Sequence, residues 1–142
     1  MRCEEIMQQD VFSVSAGESV LDAAAIMRDR NIGFLPVLDE DGRAVGTLTD
    51  RDIAIRLCAN DLRPSELCIA DVMTTDVVSC GADEELRTCE QLMKQFQKSR
   101  VIVVDDEERV VGIISLTDIA TLDTQRHAAR TLRQIAVRDF RE

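Results

Sequence analysis

The chain has 142 residues, 45% of them hydrophobic and 31% charged, a balance that suits one compact soluble domain and excludes general disorder. Its formal charge of −10 argues against a broad nucleic-acid surface, which needs a basic stripe to displace counterions. The longest apolar runs, VIVV at 101–104 and VVGII at 110–114, are strand-sized and far short of the roughly 20 residues that a membrane span needs.

In chain order, MRCEEIMQQD carries acidic residues where an export signal would carry its apolar segment, and the five cysteines form no CxxC pair. A cytoplasmic location is expected. A lead-in ending in Ile6-Met7 precedes a short strand, VFSV. Ser19 and Asp22 then predict a capped helix over VLDAAAIM. FLPVL, the turn DEDG and AVGTLT read as a hairpin, and a second helix starts at Asp50. The segment 59–71, with Pro64, reads as a connector.

The same order follows again. VVSC is a strand; a helix begins with Glu85 in place of the cap serine, a weaker start; RVIVV, DDEE and VVGIIS form a hairpin; a last helix starts at Leu116. Glu108 replaces the turn glycine Gly42, so the two turns need not be of one type. From Thr124 the tail holds five arginines against Asp139 and Glu142, a net of +3 on a body of −13, and reads as a basic helix with solvated or ion-paired arginines.

The recurrence is a true repeat. Sliding the chain by 66 positions aligns Ile6–Ala54 with Val72–Ala120 without a gap, with identities that include Met7/Met73, Ser13/Ser79, Asp39/Asp105, Arg43/Arg109, Gly46/Gly112 and the DIA triplets at 52 and 118. The divisions expected are 1–58, the connector 59–71, 72–123 and the tail 124–142. The fold class is α/β (α+β), each unit running strand, helix, strand, strand, helix. One such unit buries little for an independent fold, and two sheets packed face to face would solve the problem.

Each unit resembles a cystathionine β-synthase (CBS) domain, and the chain resembles a stand-alone tandem pair, over nearly everything from Ile6 to about Leu122. The residues that carry the likeness are the lead-in methionine, the serine of the first strand, the LPV of the first hairpin, and GTLTDRDIA repeated as GIISLTDIA. The resemblance implies pseudo-two-fold symmetry and an adenosine-nucleotide site at each signature. Asp52 or Asp118 would take ribose hydroxyls, and Thr49 or Ser115 would donate to phosphate, with first-turn N–H groups beside them. Gly46 and Gly112 would allow close approach. The site on Thr49 and Asp52 would be completed by Ser79, Arg100, Val101 and Ile102. The site on Ser115 and Asp118 would be completed by Ser13, Gly33, Phe34 and Leu35. Arg100, with Lys98 near it and Arg51 in the first signature, would make the Asp52 site the better match for phosphate. Aromatic stacking could come only from Phe12, Phe34, Phe96 or Phe140, so an aliphatic slot is favoured.

Plainer readings stand beside these. Asp52 and Asp118 could be helix N-terminal carboxylates, and Arg100 could pair with the DDEE turn. The cysteines lack metal-ligand spacing and there is one histidine, His127, so no metal centre is expected; Cys80 and Cys89 read as core. No nucleophile motif, GxGxxG or GxxxxGK occurs, and no enzyme is expected. The function expected is a regulatory module that binds an AMP-, ADP- or ATP-type ligand, with magnesium only if ATP, and signals to a protein partner. The alternatives are a structural dimerisation module, or a binder of S-adenosylmethionine or NAD. The apolar AAAIM and IAIRL predict a homodimer through the helices; no nucleic acid or membrane partner is expected.

Overall fold

The computed structural model describes residues 1–122 and 125–136, with the side chains of all of these except 125–128. The chain forms two compact units: a central unit, Phe12–Val77, and a split unit in which Met1–Val11 joins the chain from Val78 onward.

The central unit contains β1 (Val14–Ser15), α1 (Val20–Arg30), β2 (Phe34–Leu38), β3 (Ala44–Thr49) and α2 (Asp50–Arg56). Its sheet has the order β1-β2-β3, with β1 parallel and β3 antiparallel to β2. The split unit repeats this with β4 (Ser79–Gly81), α3 (Leu86–Phe96), β5 (Arg100–Val104), β6 (Val110–Ser115) and α4 (Leu116–Leu122), and adds α5 (Gln125–Ala136). The class is mixed α/β, as the sequence predicts.

Local chemistry sets the element ends. Ser19 Oγ accepts from the Asp22 N–H at 3.1 Å, which satisfies one of the orphan donors at the start of α1. At α3 the equivalent Glu85 makes no side-chain cap bond, in line with the weaker start expected. The first strand is shorter than VFSV suggests, and Pro36 is the reason. In the split unit the Ile102 N–H donates to the Val78 carbonyl at 3.1 Å and Ser79 pairs with Ile102. Pro36 stands at the position equivalent to Ile102 and has no N–H, so β1 begins only at Val14, paired with Val37.

The two hairpin turns, by contrast, are alike. Gly42 has φ 83° and Glu108 φ 64°, and the Asp39 and Asp105 carboxylates each accept two backbone N–H bonds at 2.9 Å. Those bonds hold Glu108 in a left-handed conformation that sterics disfavour.

The lead-ins do not stay with the repeats that they begin. In the central unit Thr47 and Thr74 exchange backbone hydrogen bonds of 2.8 and 2.9 Å, so the lead-in of the second repeat pairs with the sheet of the first. In the split unit Gln8 and Ile113 do the same at 2.9 and 3.1 Å. Sequence repeat and packing unit are therefore different divisions of the chain. The core of the central unit gathers Val14, Val20, Ala23, Leu35, Leu48 and Ile69, among others, and that of the split unit Cys3, Cys80, Cys89, Met93, Val101 and Ile114.

The helix expected in the tail is present over Gln125–Ala136, where it buries Thr131 and Ile135 and leaves Arg130 and Arg133 exposed. Phe140 and the rest of 137–142 lie outside the described residues. Among the described residues no helix is long and apolar enough to cross a membrane.

Candidate functional site

Each unit places its signature at the junction of the last hairpin strand with the helix that follows. In the central unit Thr49 Oγ1 accepts from the Asp52 N–H at 3.0 Å, while Asp52 Oδ2 accepts from the Thr49 N–H at 3.0 Å. In the split unit Ser115 Oγ accepts from the Asp118 N–H at 3.1 Å, and Asp118 Oδ2 accepts from the Ser115 N–H at 2.8 Å. This is the reciprocal capping box. It explains the three-residue spacing from hydroxyl to aspartate, and it leaves Oδ1 of each aspartate outside the cap.

That second oxygen has partners which the sequence reading did not single out. The Thr74 hydroxyl donates to Asp52 Oδ1 at 3.4 Å, and the Arg56 guanidinium lies 3.9 Å from it. Arg56 is also anchored, donating to the carbonyls of Val72 and Met73 at 3.0 and 3.1 Å. In the split unit the Gln8 side-chain amide donates to Asp118 Oδ1 at 3.0 Å. The signal for these residues was present: a slide of 66 sets Gln8 on Thr74, each directly after a lead-in methionine.

Register brings further predicted residues beside each junction. Phe34 is the β-partner of Thr49, and Arg100 is the β-partner of Ser115, so a cation and the second signature share one sheet edge. The sequence reading had not given Arg100 that neighbour. Gly33 accepts from the Asp50 N–H at 3.1 Å, and a β-carbon there would meet the Asp50 carboxylate. Arg51 is exposed at the start of α2. Ser13 and Ser79 are exposed, one before β1 and the other opening β4.

Leu35 and Val101 are fully buried members of the two cores, so only their backbones can serve a ligand; Ile102 is also fully buried. Of the aromatic candidates, Phe12 and Phe96 are exposed, and Phe12 lies under the Arg30 guanidinium at 4.7 Å. A separate polar cavity of about 450 Å³ between α3 and α5 is lined by Arg87, Glu90, Gln91, Lys94 and Arg130, and by none of the signature residues. No group of side chains able to hold a metal ion occurs among the described residues.

Comparison with known proteins gives the pattern a family context. The family model described as CBS domain matches the chain twice, at residues 3–58 and 69–125. The CBS domain-containing protein YhcV of Bacillus subtilis is 36% identical over 126 residues, covering 89% of this chain and 88% of its own. Two further curated relatives, the inosine-5'-monophosphate dehydrogenase and the L-aspartate semialdehyde sulfurtransferase of Methanocaldococcus jannaschii, are each 34% identical but much longer, and the chain spans 25% and 22% of their length. Among solved structures, the CBS domain protein TA0289 of Thermoplasma acidophilum superposes with a TM-score of 0.82 at 30% identity, over 94% of this chain and 75% of that one. The CBS domain pair of the protein MJ0100, in complex with 5′-methylthioadenosine and S-adenosyl-L-methionine, gives 0.76 at 34% identity, over 86% and 94%.

Proposed function

Since the chain belongs to the CBS-domain family and carries that domain twice, we propose that it is a regulatory module which binds an adenosine-containing ligand at its hydroxyl–aspartate junctions and performs no chemistry on it. One observation carries the reading. In both units the aspartate commits one oxygen to the capping box and presents the other beyond it, bonded to a side chain of the lead-in. A carboxylate held in this way has its orientation fixed before any ligand arrives. Its outer oxygen can exchange a protein donor for a ribose hydroxyl, and the lead-in donor is then released. Such an exchange would couple occupancy to the lead-in, giving a partner protein a change to read. The methylthioadenosine and S-adenosylmethionine bound by the MJ0100 pair support an adenosine core as the shared feature. Arg100 beside Ser115 supports a phosphorylated ligand such as AMP or ATP.

Titration calorimetry and thermal shift with AMP, ADP, ATP, S-adenosylmethionine, methylthioadenosine and NAD test this. At about 100 times the dissociation constant a ligand adds roughly 2.7 kcal/mol to the folded state. Asp52→Ala together with Asp118→Ala should abolish the effect. If none of the six binds, the reading fails.

A second reading has its own observation. Both oxygens of each aspartate already have protein partners, as a structural module without a ligand would require. Exposed Leu21 on α1 and Ile55 on α2 support a homodimer in either case, and sedimentation at micromolar concentration checks it.

A further inference from the structure

One interior position is built twice in this chain, once from aliphatic side chains and once from thiols. In the central unit Val14, Ala23 and Ile69 share one core cluster. Sixty-six positions away in the sequence, their equivalents are Cys80, Cys89 and Cys3, which share the core cluster of the split unit. The aliphatic trio is buried to 3% exposure or less and the thiol trio to 4% or less, so filling this space does not require sulfur. The Sγ atoms of Cys3 and Cys80 lie 3.6 Å apart, and Cys89 is buried in the same cluster. Cys3 belongs to the single turn Cys3–Glu5 of the lead-in, and Cys80 to β4, so the contact joins two segments 77 residues apart.

We propose that Cys3 and Cys80 are a redox-modification site, which a hydroperoxide converts to an intramolecular disulfide that fastens the lead-in to β4. A disulfide needs its sulfurs at about 2.05 Å, so the thiols must close from their contact distance of 3.6 Å. The step balances. One thiol loses its proton and attacks the peroxide; the O–O bond breaks, water or an alcohol leaves, and a sulfenic acid remains. The second sulfur attacks that sulfenic sulfur, the S–O bond breaks, and a second oxygen departs as water. The pair gives up two electrons and two protons, and the peroxide is reduced.

The closed state protects the pair. The Cys80 contact and burial push the Cys3 thiol well above its ordinary range. The Cys3 contact pulls the Cys80 thiol down, but the Cys89 thiol and burial outweigh that pull and push it up to about 12. Protonated buried thiols react slowly, so oxidation proceeds when the lead-in turn lifts. That turn is held by two backbone bonds of 2.9 Å, from Cys3 to Glu84 and from Glu4 to Ala82. Once formed, the disulfide prevents the lifting. The same segment carries Gln8, the donor to Asp118, so oxidation would hold one signature carboxylate in its capped arrangement. The disulfide itself does not depend on what the signature binds.

The test uses the full chain in a Cys58→Ser, Cys68→Ser background, which removes the two exposed thiols. After hydrogen peroxide and alkylation, a non-reducing digest analysed by mass spectrometry should yield the Cys3 peptide joined to the Cys80 peptide, two hydrogens lighter than their sum and separable by dithiothreitol. Amide exchange over Cys3–Gln8 should slow by about tenfold or more. Cys80→Val, which copies the residue of the central unit, should fold and show neither change. Recovery of Cys3 and Cys80 as free thiols after peroxide overturns the proposal. So does a linkage that joins Cys80 to Cys89 or one chain to another.

Discussion

Met73 rests on Gly46 so closely that a β-carbon at position 46 would stand 2.7 Å from the methionine sulfur and 2.9 Å from the Thr74 carbonyl oxygen. Met7 covers Gly112 in the same way, with its sulfur 2.5 Å from the equivalent point. The repeated glycine therefore serves the lead-in: it lets a methionine and a bridging backbone lie on the sheet. Gly46→Ala and Gly112→Ala should each destabilise the fold by about 1–3 kcal/mol, the usual range for overpacking. Urea denaturation measures this. Met73→Ala combined with Gly46→Ala should cost less than the sum of the single changes, because the two residues share one contact. Strict additivity would place the steric conflict elsewhere.

Glu108 holds φ 64° in a turn where the first repeat uses Gly42. A left-handed conformation costs a non-glycine residue about 1–2 kcal/mol, offset in part by the extra entropy that glycine loses on folding. Glu108→Gly should therefore stabilise the chain by about 0.5–1 kcal/mol, whereas Gly42→Ala should destabilise it by a similar amount. Thermal melts of both variants decide the sign. A loss of stability with Glu108→Gly would mean that the glutamate side chain contributes more than the turn costs.

How far the fold was legible follows from which interactions are local. The 66-residue slide, the Ser19 cap, the hairpin strands and the start of α2 at Asp50 all rest on neighbours in sequence, and all could be read there. Pro36 shortens β1 through a hydrogen bond that exists only across the sheet, and the pairing of Gln8 with Ile113, more than a hundred residues away, leaves no local mark. The glycine turn at Gly42 was legible, but its copy at Glu108 was not, because the Asp105 bonds override the preference of the residue itself. In the site, the sequence offers Asp52 both as a ligand carboxylate and as a helix N-terminal one, and the geometry shows the cap, closed by Thr49. Pairing register, which sets Arg100 beside Ser115, is a property of two strands and cannot be read from either.

Asp105 offers a test against pH. The Arg109 backbone N–H, with that of Glu107 and the Arg109 guanidinium, holds its carboxyl below the ordinary range, against a smaller opposing effect of desolvation. A depressed folded value means that the carboxylate stabilises the fold above the unfolded value of about 3.9, and that the contribution disappears as the pH falls through the folded value. Asp105→Asn keeps an acceptor for the backbone and removes the charge. Its deficit in urea midpoint should be largest near neutrality and should close as the pH falls below about 4. A deficit independent of pH would show that shape, not charge, secures the turn.

The sharpest test of the site concerns Arg100. Residues directly opposite on antiparallel strands project to the same face with β-carbons about 4.5–5.5 Å apart, so the pairing of Arg100 with Ser115 roots the arginine side chain beside the second signature. At the first signature the corresponding partner of Thr49 is Phe34, which carries no charge. A hydrogen bond to a charged group is worth about 1.5–3 kcal/mol, or tenfold and more in affinity. Arg100→Ala should accordingly weaken AMP binding by at least about tenfold, flatten its salt dependence and leave adenosine binding nearly unchanged, as read by calorimetry at two ionic strengths. Asp118→Ala should then harm AMP binding more than Asp52→Ala does. The opposite order, with Arg100→Ala still damaging, would assign the arginine to the Asp52 signature, while an Arg100→Ala protein that binds AMP like the parent would remove the phosphate contact from this edge altogether.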